Sequence, residues 1–237
     1  MEIALIGYGK MGKEIASVAT ERGHEITATI DSEADWMEKI DDLRQCDVAI
    51  EFSTPDTAVD NIMKCLNIGI PVVVGTTGWY DQLESVVHDC RQRGNAALFV
   101  ASNFSIGVNI MFDINRRLAD LMNRYPQYDV QISETHHVHK LDAPSGTAIT
   151  LADDIIDRLD RKEEWKLNGT QSDELCITAH REGEVSGIHQ VTYNSEVDTI
   201  SIRHEAKSRK GFALGAVLAA EFLEGKRGYF TMADLLQ

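Results

Sequence analysis

Positive charge is in short supply in this sequence. Lys and Arg number 23 against 38 Asp and Glu, a formal net charge of −15 with histidine neutral. A surface of that sign repels phosphodiester backbones and anionic lipid, so neither nucleic acid nor a membrane is expected as a partner. Long hydrophobic runs are lacking too. No apolar stretch approaches the ~18 residues that a membrane span needs. The opening MEIALIGYGKMG has no basic segment ahead of its apolar residues. It reads as a strand and not as a signal peptide, and the expected location is the cytoplasm. Cysteine is sparse: Cys46, Cys65, Cys90 and Cys176 form no CxxC pair, and each has an apolar or helical context. Buried free thiols in a reducing compartment are expected. Internal repeats and low-complexity segments are absent. Two glycosylation sequons, at Asn103 and Asn168, read as chance matches in a chain without a secretory signal.

What is present is an ordinary soluble composition, 43% hydrophobic and 26% charged over 237 residues, enough for one large or two small domains. The first hundred residues alternate strand and helix signals. Strands are expected at Glu2–Ile6, Glu25–Ile30, Asp47–Phe52, Pro71–Val74 and Ala96–Val100. Helices are expected at Lys10–Arg22, with Gly23 as its stop, after the Thr54-Pro55 start signal as far as Gly69, and at Asp81–Arg93. Repeated β-α units of this length imply a parallel sheet covered by helices on both faces.

After Asn103 the rhythm changes. Ile106, Ile110, Ile114, Leu118 and Leu121 fall on one helical face and predict a helix. A strand at Asp129–Ser133, a helix at Ser145–Arg161 and a polar loop over Arg161–Asp173 follow. Strand-like runs come at Leu175–His180, Ile188–Asn194 and Thr199–His204, and a closing helix at Phe212–Leu223. In Thr199–His204 the residues Ile200, Ile202 and His204 share one face, and Thr199, Ser201 and Arg203 the other. That period of two predicts an open, one-sided sheet.

Two stretches carry chemistry. The first is GYGKMG, comprising Gly7, Tyr8, Gly9, Lys10, Met11 and Gly12, between the first strand and the first helix. Glycines there permit a tight turn and let a pyrophosphate rest on the helix N-terminus. Asp31 ends the second strand, 19 residues past Gly12, where a carboxylate can accept hydrogen bonds from ribose hydroxyls. Gly75-Thr76-Thr77 and Ala101-Ser102-Asn103-Phe104 end the fourth and fifth strands and are candidates for the nicotinamide end. Turn residues alone would also explain them.

The second is ETHHVHKLDAPSGTA, Glu134 to Ala148, where three histidines and a lysine gather in an otherwise acidic chain. His136, His137 and His139 admit three readings. One is metal binding, with His137 and His139 on one face of a strand, but no cysteine lies near and a third ligand must come from far away. Another is a polar strand end whose histidines satisfy their neighbours. The third is an anionic substrate site with proton transfer: Lys140 is a point cation, imidazole titrates near neutrality, and Ser145-Gly146-Thr147 opens a helix whose first amides can meet a carboxylate. Together these features favour the third, with no resident metal.

The stretch resembles the signature of the 4-hydroxy-tetrahydrodipicolinate reductase (dihydrodipicolinate reductase) family, and the resemblance runs along nearly the whole chain. GYGKMG, GTTG and ASNFSIGVN are similar to the family's cofactor segments. Arg181-Glu182-Gly183 with Gly187-Ile188-His189 fits its RxGxxxGxH pattern, and IRHEAKSRKGFALGA its last strand and closing helix. Val138 stands where some members carry arginine, and Ser32–Cys46 is shorter than in many members.

The resemblance implies a Rossmann-type nucleotide domain, residues 1–104 plus 207–237, with an inserted α+β domain, 105–206, built on an open mixed sheet that serves substrate binding and homotetramer assembly. It implies reduction of the dicarboxylate 4-hydroxy-tetrahydrodipicolinate by NADH or NADPH in diaminopimelate and lysine biosynthesis. His136 is then the general acid and Lys140 a second proton donor, His137, Gly146 and Thr147 hold carboxylates, and the glycine loop, Asp31, Gly75–Thr77 and Ala101–Phe104 hold the cofactor. NADH is expected to serve at least as well as NADPH, because Asp31 is followed by Ser32, Glu33 and Asp35 and no arginine. Lys10 pulls the other way if its stem reaches the adenosine ribose. Competing expectations are a related imine or amino-acid dehydrogenase and a non-catalytic dinucleotide sensor.

Overall fold

The computed structural model describes all 237 residues and divides into two compact units, Met1–Ile106 with Arg209–Gln237, and Gly107–Ser208. The first is the expected α/β class. Strands β1 (Glu2–Ile6), β2 (Glu25–Ile30), β3 (Val48–Glu51), β4 (Val72–Val74) and β5 (Ala97–Val100) pair in parallel in the order β5-β4-β3-β1-β2. From β1 the chain steps one way to β2 and then crosses back to β3, so the topological switch lies between β1 and β3. Ligands bind outside the strand C-termini at such a point.

Both faces are covered, and β1 shows how. Ile3 and Leu5 pack with α1 (Lys10–Glu21) on one side, Ala4 and Ile6 with the opposite layer, which includes α4 (Pro55–Ile68). A strand buried twice needs no polar alternation, which is why β1 and β4 read as continuous apolar runs. α4 starts with Pro55 in its first turn and ends on Gly69 in the left-handed region. The stretch Ser32–Cys46 forms two short helices, α2 (Glu33–Glu38) and α3 (Ile40–Leu43), and α5 (Leu83–Arg93) precedes β5. Cys46, Cys65 and Cys90 are buried and Cys176 is half-buried, all four as free thiols. Burial pushes the first three thiols up, which keeps them protonated.

The second unit holds the mixed sheet. β6 (Asp129–His136) sits at its centre, antiparallel to β9 (Ile188–Asn194) and parallel to β8 (Glu174–Arg181). β7 (Glu164–Leu167) and β10 (Thr199–Glu205) form the edges. Val130, Ile132, Val191 and Tyr193 pack with α6 (Ile106–Met122) and α7 (Gly146–Ile156). The other face is polar, with Gln131, Ser133, Thr178, Gln190, Thr192 and Ser201 in register across four strands. The open one-sided sheet is therefore present.

Two local expectations are corrected, and the α6 stripe is only partly packed. Ile110, Ile114 and Leu121 are exposed and Ile106 and Leu118 half-buried, while Val108, Met111, Phe112, Asn115, Ala119 and Met122 are buried. The core row was hidden because it includes Asn115, whose Nδ2 donates to the Leu151 carbonyl at 3.0 Å. The helix from Ser145 stops at Ile156, with Ser145 as its N-cap, and not at Arg161. Lys162 reverses the chain there, donating to the Ser172 and Glu174 carbonyls and pairing with Asp129 at 2.9 Å. The supposed loop after it contains β7, whose side chains are mostly exposed and give no apolar alternation.

The chain returns to the first unit as α8 (Lys210–Leu223), packed on α1 and on β3 to β5. Lys210 pairs with Glu21 at 2.7 Å, and Glu221 receives both Arg22 and His24 at 2.8 Å. β11 (Gly228–Phe230), parallel to β5, adds a sixth strand, and α9 (Met232–Leu235) closes the chain; neither was legible in advance.

Candidate active site

The first unit opens a continuous cleft along the C-terminal ends of its strands. Its first section, about 400 Å³, is lined by Gly7 and Gly9 of the turn after β1, by Asp31 and Trp36, and by Ser53 and Asn61. The second section shares Gly9, Phe52 and Ser53 with the first and adds Lys10, Met11 and Gly75-Thr76-Thr77. A third section shares Met11, Phe52 and Gly75 with the second and adds Ser102, Asn103, Phe104, Arg209 and Phe212. Eleven of the fourteen residues proposed to hold a cofactor thus line one groove. Three do not. Tyr8 donates its backbone N–H to Asp31 Oδ1 at 3.0 Å, Gly12 is buried at the start of α1, and Ala101 packs in the core.

The turn explains itself locally. Gly7 has φ +89°, and a Cβ on it would stand 2.2 Å from the Phe52 carbonyl oxygen, so no other residue fits this approach of β1 to β3. Its N–H donates to the Ile30 carbonyl at 2.7 Å, which places the turn beside the end of β2 and Asp31. The cations around the first section are already engaged. Lys39 bonds Asp35 and the Thr29 carbonyl, and its hydrogen bond holds the Asp35 carboxyl well below the usual carboxylate range. Lys64 pairs with Glu33 at 2.6 Å and Asp60 at 2.8 Å. Lys10 lines the second section and not the one with Asp31.

One buried acid escaped the sequence reading. Glu51 ends β3 fully buried, and burial pushes its carboxyl up. It accepts from the Ser53 hydroxyl and, at 3.0 Å, from the Ser53 N–H. Asn61 bonds Ser53 and accepts from Trp36 Nε1, so the groove wall is a connected polar chain.

In the second unit the histidine cluster sits where β6 ends. β6 runs to His136, three residues beyond the expected strand, so the period of two puts Glu134 and His136 on the covered face with Ile132. Glu134 lies opposite His189 of β9, and His136 opposite Arg181 of β8. Glu134 is fully buried and takes four donations. Oε2 is in short contact with His136 Nδ1, and Oε1 accepts both terminal nitrogens of Arg181 and the Ser145 N–H, each at 3.2 Å. Burial alone would push this carboxyl up. The hydrogen bond from His136 and the charges of His136 and Arg181 outweigh it, and the group lies below its ordinary value.

His189 is buried beside it, its ring 5.1 Å from that of His136 and its Nε2 3.0 Å from the Ser145 hydroxyl. Burial, then the neighbouring charge of His136, pushes it down to about 3, so it stays neutral. Donor atoms of Glu134, His136 and His189 lie within 4.8 Å of one another, a grouping invisible in the linear sequence. His136 Nδ1 and the carboxylate are already spent on each other and on Arg181.

Lys140 follows on the loop, its ammonium 2.8 Å from Asp142 and its backbone N–H on the His137 carbonyl. His137 is half-buried, with its Nδ1 enclosed and without a hydrogen-bond partner. His139 is exposed and pairs with Glu184 at 3.3 Å, away from His136. Gly146 and Thr147 form the first turn of α7, capped by the Ser145 hydroxyl, which accepts from the Ala148 N–H at 3.3 Å. Reasoning on the sequence placed Ser145 at the helix start and Arg181 and His189 in a family pattern, but gave no chemical role to Glu134, Arg181 or His189. The alternation of the strand would have paired Glu134 with His136, but nothing local joins Arg181 or His189 to them.

A parallel sheet with a glycine turn and a groove at the switch point is the architecture of a dinucleotide-binding domain. Family models of the dihydrodipicolinate reductase N-terminus and C-terminus match residues 1–104 and 107–236. A 4-hydroxy-tetrahydrodipicolinate reductase of Christiangramia forsetii is 47% identical over 236 residues, 100% of this chain and 98% of the relative. One of Methanopyrus kandleri is 38% identical over 200 residues, 81% and 72%. The chain belongs to the dihydrodipicolinate reductase family. Its fold is similar to that of a dipicolinate-bound dihydrodipicolinate reductase from Paenisporosarcina sp. TG-14, with a TM-score of 0.77 at 23% identity over 98% of this chain and 97% of the other. No helix is long and apolar enough to cross a membrane.

Proposed function

We propose that the protein reduces 4-hydroxy-tetrahydrodipicolinate to tetrahydrodipicolinate in diaminopimelate and lysine biosynthesis, in the cytoplasm. The observation that carries this is the junction at the buried Glu134 carboxylate of His136, the start of α7 and, through Arg181, the Lys140 loop. When bound, the reduced nicotinamide supplies the hydride. The residues of the groove fit such a cofactor: glycine backbone at a helix start for the pyrophosphate, and the Asp31 carboxylate for ribose hydroxyls.

His136 Nε2 gives the proton that the reduced, electron-rich substrate carbon takes up, with Nδ1 held by Glu134. Lys140, His137 and the backbone of Gly146 and Thr147 hold the two carboxylates. Cations and helix amides do that work because a dianion leaving water needs charge-assisted bonds in return. NADH serves at least as well as NADPH, since the cations near Asp31 are taken.

Residues 105–206 also form the assembly surface of a homotetramer. The open side of the sheet is polar, with Thr192 bonded to Ser201 at 3.1 Å and to Gln190 at 3.0 Å. A wet, hydrogen-bonding face of this kind suits strand-on-strand assembly between copies. Light scattering at micromolar concentration checks it, and a monomer refutes it. For the activity, purified protein, NADH and the product of the preceding synthase are mixed and the absorbance of NADH is followed; absence of turnover refutes the reading.

A further inference from the structure

We propose that Glu134, locked by Arg181, is the positioning residue for both proton-donating side chains. The inference deepens the reading above and rests on it. Glu134 reaches His136 through one oxygen and Arg181 through the other. Arg181 in turn donates from Nε to the Lys140 carbonyl at 3.2 Å and from a terminal nitrogen to the Asp142 carbonyl at 2.5 Å. The same carboxylate oxygen accepts the Ser145 N–H at the α7 cap. One buried ion pair therefore sets the imidazole, the lysine loop and the helix start together.

The chemistry follows from the atoms. With Nδ1 donating to Glu134, His136 presents Nε2 to the substrate. A Cβ on Gly187, at φ +152°, would stand 3.1 Å from that Nε2, so glycine there keeps the face of the ring clear. The imidazolium loses its Nε2 proton to the substrate carbon and becomes neutral imidazole, still bonded to Glu134 through Nδ1. Solvent then returns the proton to Nε2. Glu134 does not titrate in the cycle, because Arg181 holds it ionised. The groups beside His136 are Glu134 on its own strand, Arg181 opposite it on β8 and His189 of β9, and His189 in turn feels His204 of β10 and Lys140 of the loop. Of these only Glu134 bonds its ring.

Three variants and one spectroscopic measurement test it. Glu134→Gln keeps the shape and removes the charge. Its kcat is expected to fall about 30-fold or more with KM for NADH within a factor of two, and the alkaline limb of kcat/KM to move to lower pH. Glu134→Asp is expected to recover part of the rate and the original limb. Arg181→Met is expected to lower kcat and also raise KM for the dicarboxylate, because the Lys140 loop is released. Loss of rate in Glu134→Gln with an unmoved pH profile and no recovery in Glu134→Asp marks a merely structural role and overturns the proposal, as does a fall of less than twofold. For variants that fail to fold, ¹⁵N-histidine NMR of the wild-type protein decides. At alkaline pH the neutral His136 ring is expected as the Nδ1–H tautomer with a far-downfield proton, and a neutral Nε2–H tautomer overturns the assignment. The NMR arm needs no turnover, so it separates failure of this proposal from failure of the reductase reading.

Discussion

Two carboxylates, Asp31 and Glu134, divide the labour of the two units, and they are opposites. Asp31 stands exposed at the end of β2 and accepts one backbone N–H, from Tyr8. Glu134 is fully buried and takes donors from β6, β8 and the start of α7. An exposed carboxylate meets its ligand directly, in high dielectric, and discriminates weakly. A buried one is too well surrounded to meet a ligand, and acts by fixing the groups that do. Disturbing the buried arrangement should therefore cost far more than disturbing the exposed one. His136→Gln is the strongest test. It removes the proposed proton donor, and kcat is expected to fall about 10²-fold or more while NADH binding by fluorescence titration stays within a few-fold. An unchanged kcat would break the comparison at once.

The buried end also carries a pH signature in stability. His189 remains neutral in the folded protein, pushed down to about 3 by burial and then by His136. In the unfolded chain it takes up a proton near 6.5. Between those values the unfolded state binds more protons. The stability contributed by His189 is complete above pH 6.5 and is lost as pH falls towards 3, by up to about 1.4 kcal/mol per pH unit. Glu134, whose folded value is lowered, adds a loss of the same sign further into acid. His189→Asn is expected to flatten the acid side of a plot of urea midpoint against pH. A slope equal to that of wild type would show that His189 does not drive it.

The proposed substrate anchors come next. Lys140→Met removes one charge-assisted bond, worth about 1.5–3 kcal/mol, and is expected to weaken binding of pyridine-2,6-dicarboxylate about tenfold or more. Thr147→Pro deletes a backbone donor at the second position of α7 and is expected to act in the same direction. Both effects should be smaller with pyridine-2-carboxylate. Equal inhibition of wild type by the two compounds would remove the cradle for a second carboxylate.

The contrast between the two carboxylates is also a contrast in legibility. Everything at the Asp31 end is local: a glycine turn, a strand before it, a helix after it and an acid at the end of the next strand. The parallel sheet and the residues of the groove could accordingly be read off the chain. The Glu134 end is assembled by register between β6, β8 and β9, and its partners Arg181 and His189 lie some fifty residues away. Sequence patterning found the histidines and the α7 cap but not what holds them. It also did not show which face of α6 is buried, because the isoleucine row is largely exposed and the core row is broken by Asn115 and Ala119. β7 was invisible for a related reason: an edge strand with exposed side chains has no alternation to show.

The smallest effects are expected where the carboxylate is exposed, in the choice between NADH and NADPH. Asp31, Glu33 and Asp60 all line the first section of the groove. The nearby ammonium groups are consumed, Lys64 by Glu33 and Asp60, and Lys39 by Asp35. A 2′-phosphate entering this section meets negative charge with no free counter-ion, at a cost on the order of 1 kcal/mol once solvent screens it. Asp31→Ala is therefore expected to raise kcat/KM for NADPH relative to NADH about five-fold, and more at low ionic strength than at high. Lys10 was expected to offset Asp31 by reaching the adenosine ribose. Lys10 lines the second section of the groove, beside Thr76 and Thr77, and we propose that this stretch takes the part that both cofactors share. Lys10→Ala should then weaken NADH and NADPH alike, leaving their ratio within twofold. If Lys10→Ala harms NADPH selectively, or if wild type prefers NADPH tenfold, the lysine outweighs the aspartate and the exposed carboxylate does not set cofactor choice.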